Sequence, residues 1–173
     1  MKRRGILSMA AAALAGLALT PPAAMAATPS AAPAPAAWQA HFAALDQGAI
    51  LADRAAQVVH FWSPQGEVYR LYPLLAGQGL RSGETRVIRK IEGPTWRPSS
   101  LMRSRDPRLP ALVPPGPGNP LGSHALYLAV EGLRIHGVAE DPQARADESI
   151  ALANAHIAEL FGLVRVGAPV RLI

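Results

Sequence analysis

The sequence predicts a mainly β domain with one C-terminal helix and a long proline-rich loop. Three observations carry that expectation. Between residues 58 and 138 the apolar residues come in short runs rich in Val, Ile, Tyr, Phe and Trp, separated by Gly and Pro, as strands and turns require. Residues 93–122 hold eight prolines, too many for a regular element. Near the end, Ile150, Ala153, Ile157, Leu160 and Phe161 recur at helical spacing.

Residues 1–26 begin with Lys2, Arg3 and Arg4, continue through an apolar run to Leu19, and finish on the small-residue site Ala24-Met25-Ala26. This is the pattern of a signal peptide cleaved after Ala26. The run falls short of the roughly 18 or more apolar residues a spanning helix needs, so no membrane span is expected after cleavage. A periplasmic or secreted location follows, and the Arg3-Arg4 pair leaves twin-arginine export open beside the general route. Residues 27–36, ATPSAAPAPA, read as an extended linker with nothing to bury. A single domain is expected over 37–173.

Within that domain, 37–56 carries a helical mixture of apolar and polar positions and reads as a short helix. VVHFW (58–62) and EVYRLYPLLAG (67–77) form a hairpin around the turn Ser63-Pro64-Gln65-Gly66. TRVIRKI (85–91) alternates apolar with basic residues, as a half-buried strand does. In the proline-rich segment, Trp96 and the spaced aliphatic residues predict an ordered loop packed onto the sheet. HALYLAV (124–130) and LRIHGV (133–138) pair around Glu131-Gly132, the helix ends at Gly162, and 164–173 reads as a closing strand pair.

Composition narrows the function. The formal net charge is +5, and cleavage after Ala26 removes three positive charges and no acidic ones. Arg97, Arg103, Arg105 and Arg108 cluster, but Pro and Asp interrupt them, so they read as a solvated loop and no nucleic-acid partner is expected. The chain has no cysteine, which rules out disulfides and thiolate catalysis alike. Glu140, Asp141, Asp147 and Glu148 lack histidine neighbours at ligand spacing, so no metal is expected.

The segments VYRLYPLLAG (68–77), RVIRKIEGPTWRPS (86–99), PPGPGNPLGSHALYL (114–128), RIHG (134–137) and VGAPV (166–170), in that order, resemble the catalytic domain of the L,D-transpeptidases. The likeness runs from about Val58 to the end of the chain. It implies a β-sandwich-like domain with its active site at one end beneath a loop, acting without a cofactor. Enzymes of that family cross-link peptidoglycan stem peptides through a cysteine acyl-enzyme, so stem peptides, or a wall-synthesis protein, are the implied partners. The proline-rich segment sits where some members carry a substrate-covering loop, which makes Trp96 a candidate cleft residue.

The family signature is a His-Gly on a strand, a connecting loop, then Ser/Thr-His-Gly-Cys, a hydrophobic residue, and Arg or Asn, just ahead of a helix. His136-Gly137 matches the first part. Aligned back from Asn154, the second part departs: Ile150 keeps the hydrophobic position, but Ser149 stands for the cysteine, Glu148 for the glycine, Asp147 for the histidine and Ala151 for the arginine. His136 and Ser149 are therefore the catalytic candidates, as vestiges or as an alternative pair, with Trp96, Gly137 and Asn154 as substrate-binding candidates.

A serine acyl-enzyme would need His136 as an oriented base and donors aimed at the oxyanion. Glu148 brings negative charge beside that position, and losing one oxyanion donor costs on the order of 100-fold in rate. The competing reading takes residues 146–149 as the start of the helix, with Asp147 as N-cap and Ser149 in the first turn. The favoured expectation is an exported, wall-associated pseudoenzyme. The alternative is a peptidoglycan acyl transferase or hydrolase using Ser149 as nucleophile and His136 as base.

Overall fold

In the computed structural model, residues 35–77, 79–139 and 149–173 are described. Within them the strands are β1 (Ala49–Asp53), β2 (Val58–Trp62), β3 (Tyr69–Pro73), β4 (Gly83–Glu92), β5 (His124–Leu128), β6 (Arg134–His136), β7 (Ile150–Ala151) and β8 (Pro169–Leu172). The helices are α1 (Ser100–Arg105) and α2 (Asn154–Leu163). The strands form one curled sheet in the order β3-β2-β1-β8-β4-β5-β6-β7. The mainly β fold with one principal helix is the one the sequence predicts.

The curl is built into β4. Its first residues, Gly83 to Arg86, pair antiparallel with β8, and from Val87 onward it pairs with β5 instead. The register shifts between Val87 and Arg89, a bulge that bends the strand where it changes partner. The β2–β3 and β5–β6 hairpins form as the sequence predicts, both antiparallel.

The short helix expected in 37–56 is not there. A 3-10 turn (Pro35–Ala40) is followed by β1, which pairs antiparallel with β2 and parallel with β8. The reason is burial on both faces. Ile50 and Ala52 enter the main core, whereas Ala49 and Leu51 enter a second cluster with Leu45 and Trp62. A strand covered on both sides loses its polar alternation, and its apolar run then resembles a piece of helix.

The C-terminal elements also differ from expectation. Ile150 belongs to β7, and α2 begins at Asn154 with Ala153 as its N-cap, so Ser149 lies outside the helix's first turn; Ala146, Asp147 and Glu148 lie outside the described residues. Gly162 is inside α2, whose last turn closes with Val164 N donating to Leu160 O at 2.8 Å. After α2 the chain forms a single strand, β8, because Gly167 (φ +96°) turns it before Ala168. The helix covers the core through Ile157 and Leu160, against a cluster that includes Phe61, Tyr72, Leu126, Ile135 and Val170.

The proline-rich segment is ordered but not wholly irregular. It contains α1, capped by Ser99 Oγ accepting from Met102 N at 3.1 Å. Trp96 and Val113 exchange backbone hydrogen bonds of 3.0 and 2.9 Å, closing the segment on itself. Proline excludes long helices and ladders, yet permits one turn of helix and one bridge between prolines.

Candidate functional site

β6 and β7 run parallel, with Ile135 opposite Ile150 and His136 opposite Ala151. Leu152 N donates to His136 O at 2.9 Å, continuing the ladder past β7. Ile135 and Ile150 enter the core, so strand alternation sends His136 and the residue preceding Ile150, Ser149, to the opposite side of the sheet. Both are buried, His136 at 2% exposure and Ser149 at 4%. The two catalytic candidates, distant in sequence, are thus brought onto one face of adjacent chain segments.

The electrostatics of His136 follow from that burial. Its Nδ1 bonds the carbonyl oxygen of Gly137. Since a carbonyl only accepts, the proton sits on Nδ1 and Nε2 carries the lone pair. Nε2 is buried and, among the described residues, makes no hydrogen bond, so the Ser149 hydroxyl is not its partner. Desolvation lowers the pKa to about 4, against the opposing pull of the Gly137 carbonyl; the charge of Arg134 lowers it further. The ring is neutral at neutral pH and a weak base.

Gly137 and Asn154 form a junction behind that pair. Asn154 Oδ1 accepts from Ser123 N at 3.1 Å and Val138 N at 3.2 Å, and its Nδ2 donates to Val138 O at 2.8 Å. A Cβ at Gly122 or Gly137 would overlap Asn154 Oδ1, and Gly122 also has φ +63°. Asn154 therefore ties the start of α2 to the strand after His136, and both glycines are needed for it to fit. Gly137 N in turn donates to His124 O at 3.1 Å, holding β6 to β5.

Trp96 is 4% exposed, so its side chain anchors the proline-rich segment from within. Asn119 does the same and was missed by sequence reasoning. It is fully buried; its Nδ2 lies 2.7 Å from Pro94 O, 2.9 Å from Pro114 O and 3.2 Å from Val113 O, and its Oδ1 accepts from Leu121 N at 2.9 Å. A single Asn among prolines was the available signal, because proline carbonyls need donors that prolines themselves cannot supply.

Sequence reasoning also missed a row of polar residues beside β6. Arg89 pairs with Tyr127 across β4–β5, and Tyr127 pairs with Arg134 across β5–β6. The Arg89 guanidinium lies 4.3 Å from the Tyr127 ring centroid and that of Arg134 at 6.0 Å. They line an open cleft of about 710 Å³, rimmed by Ile88, Val130 and Leu133 and reached by Arg97. The bulge in β4 hides this row, since it places Ile88 and Arg89 both outward where alternation would separate them.

Three of the other histidines pack against aromatic rings. His60 meets the Tyr69 hydroxyl at 2.8 Å through Nδ1 and stacks on Trp62 with centroids 5.6 Å apart. His156 tilts against Tyr72 with centroids 5.6 Å apart. His124 packs on Phe161 at 4.7 Å and meets Ser123 Oγ at 2.9 Å. Glu140, Asp141, Asp147 and Glu148 lie outside the described residues.

The profile of the L,D-transpeptidase catalytic domain (YkuD) matches residues 47–172. A Fuscovulum blasticum protein, named as an L,D-transpeptidase of the ATP synthase subunits region, is 34% identical, over 100% of this chain and 98% of its own length. The Escherichia coli protein named as the L,D-transpeptidase ErfK/SrfK is 33% identical, over 72% of this chain and 43% of its own. The chain thus spans less than half of that E. coli relative. Among solved structures it is similar to a cysteine-to-serine mutant of the Enterococcus faecium L,D-transpeptidase, with 20% identity, a TM-score of 0.56, and coverage of 75% of this chain and 50% of that one. It is also similar to Mycobacterium tuberculosis L,D-transpeptidase 1, with 20% identity, a TM-score of 0.51, and coverage of 74% and 62%. These structures share the fold, and the profile match together with the F. blasticum relative identifies the chain as a member of the L,D-transpeptidase catalytic-domain family.

Proposed function

We propose that the chain is an exported cell-envelope protein that binds peptidoglycan stem peptides in wall biogenesis or remodelling without forming an acyl-enzyme. One observation carries the reading: the chain has no cysteine, and the histidine of its His-Gly pair is a buried, neutral imidazole with Nε2 unbonded. A serine hydroxyl is a far weaker acid than a thiol and depends on its base. A base held near pKa 4 sits well below the operating pH, where general-base catalysis is inefficient.

Export is inferred from residues 1–26, and a periplasmic or secreted location from the same segment. Among the described residues no helix is long and apolar enough to cross a membrane. Trp96, Gly137 and Asn154 serve the binding groove through the backbone they hold, Trp96 under the covering loop and the other two behind His136. A wall-synthesis protein is the other partner class this reading admits.

A second reading, catalysis by Ser149 with His136 as base, is favoured by one feature. The Gly137 carbonyl fixes Nδ1–H and leaves the Nε2 lone pair available, the tautomer a general base requires. The two readings separate in a sacculus pull-down with muropeptide analysis, run on the wild type, Ser149→Ala and His136→Ala. Binding in all three with an unchanged muropeptide profile is the expected result. New cross-links or released stem peptides that disappear in both variants would establish the serine enzyme instead, and absence of binding would point to a protein partner.

A further inference from the structure

We propose that the cleft beside β6 recognises the carboxylate of an acidic peptide through Arg134 and Arg89. The identification of that peptide as a wall stem peptide rests on the function proposed above; the recognition of its charge does not.

The two arginines flank one aromatic ring across adjacent strands. Both guanidinium groups lie against one ring, Tyr127, at 4.3 and 6.0 Å. Among the described residues the ion pairs are Arg70–Glu159, Arg108–Asp106 and Arg171–Glu84, and none involves Arg89, Arg97 or Arg134. Arg134 donates from Nε to Gly132 O at 3.1 Å, which steadies the side chain and leaves its other donors for a ligand. It is partly buried, and the desolvation lowers its pKa. Two like charges sharing a ring, one of them partly removed from water, form an arrangement that a bound anion stabilises.

The cleft's shape favours a peptide over a free inorganic anion. Its lining is mixed: Ile88 at 51% and Val130 at 49% exposure, with Leu133, give apolar surface beside Thr95 and Glu131, a single carboxylate facing three arginines. Small apolar side chains of a peptide would cover Ile88, Val130 and Leu133 while its carboxylate met the paired arginines, for which guanidinium geometry is suited. Arg134 lies two residues before His136 on the same face of β6. A peptide anchored there by its carboxylate is therefore delivered to the neighbourhood of His136 and Ser149.

The test is calorimetric titration of the full chain with three probes: a purified disaccharide-tetrapeptide muropeptide, the same muropeptide with its carboxylates amidated, and tri-glutamate. Wild-type protein is compared with Arg134→Gln, Arg89→Gln and Arg134→Lys, and with Arg108→Gln as a control, each checked for folding by circular dichroism. The muropeptide is expected to lose about tenfold in affinity with either glutamine variant and with amidation, the scale of a charged hydrogen bond. Arg134→Lys, which keeps the charge without the planar fork, is expected to fall between, and Arg108→Gln to match the wild type. Tri-glutamate binding that depends on Arg134, with no muropeptide binding, would uphold the anion site and remove the wall reading. Muropeptide binding that all the arginine variants retain would overturn the anion site and leave the wall reading standing. Failure of both anionic peptides to bind would overturn it as well.

Discussion

His136 couples its protonation to folding. In the unfolded chain an imidazole takes up its proton near 6.5, and in the folded protein only near 4. Between those values the unfolded state binds more protons. Stability is therefore complete above about pH 6.5 and is lost as pH falls towards 4, by at most roughly 3 kcal/mol. Melting temperatures recorded from pH 7.5 to 4 should fall more steeply for the wild type than for His136→Gln; parallel curves would show that the ring titrates normally. At this scale the sequence was legible where a motif named the residue. His136 and Ser149 were singled out as candidates because one aligned segment pointed to each. Asn119, Arg89 and Arg134 were not, because their roles arise from contacts across 5 to 25 residues or across strands.

Elements were legible where one face meets water. The β2–β3 and β5–β6 hairpins alternate or carry turn residues, and both were read correctly. β1 and β7 are buried on both sides and short, which erased the signal that separates strand from helix. The helical spacing of Ile150 and Ala153 was a coincidence of two segments: Ile150 closes the sheet and Ala153 precedes α2 without any side-chain cap. Gly162 offers a check on the helix itself. It lies within α2, and a Cβ there would meet nothing within 4 Å. Gly162→Ala should raise stability in thermal denaturation by about 0.5–1 kcal/mol, the difference between the two residues in a helix interior. A loss would mean that the last turn of α2 needs glycine as a terminator after all.

In the molecule as a whole, β8 sits in the middle of the sheet. It pairs parallel with β1 on one side and antiparallel with β4 on the other. Arg54, one residue beyond β1, extends the link with Nε donating to Ile173 O at 2.9 Å and Nη2 to Ser82 Oγ at 2.6 Å, while Nη1 bonds Leu80 O. Hydrogen exchange should find the Val170 and Leu172 amides among the slowest, released only by global unfolding; exchange faster than in β5 would mean the two sides of the sheet open independently. The fold class was legible from local runs, whereas this arrangement was not, because a parallel neighbour leaves no turn between partners for the sequence to display.

That central strand also governs how the protein forms. The β3-β2-β1 meander and the β4-β5-β6 stretch can each assemble from neighbours in sequence, but neither closes the core until β8 enters between them. The pairing of β1 with β8 joins residues 120 positions apart, such as Ile50 with Val170, so its loop-closure entropy comes due late and in a single step. Folding should accordingly be slow and all-or-none, with the chain remaining open and threadable for most of its lifetime before that step.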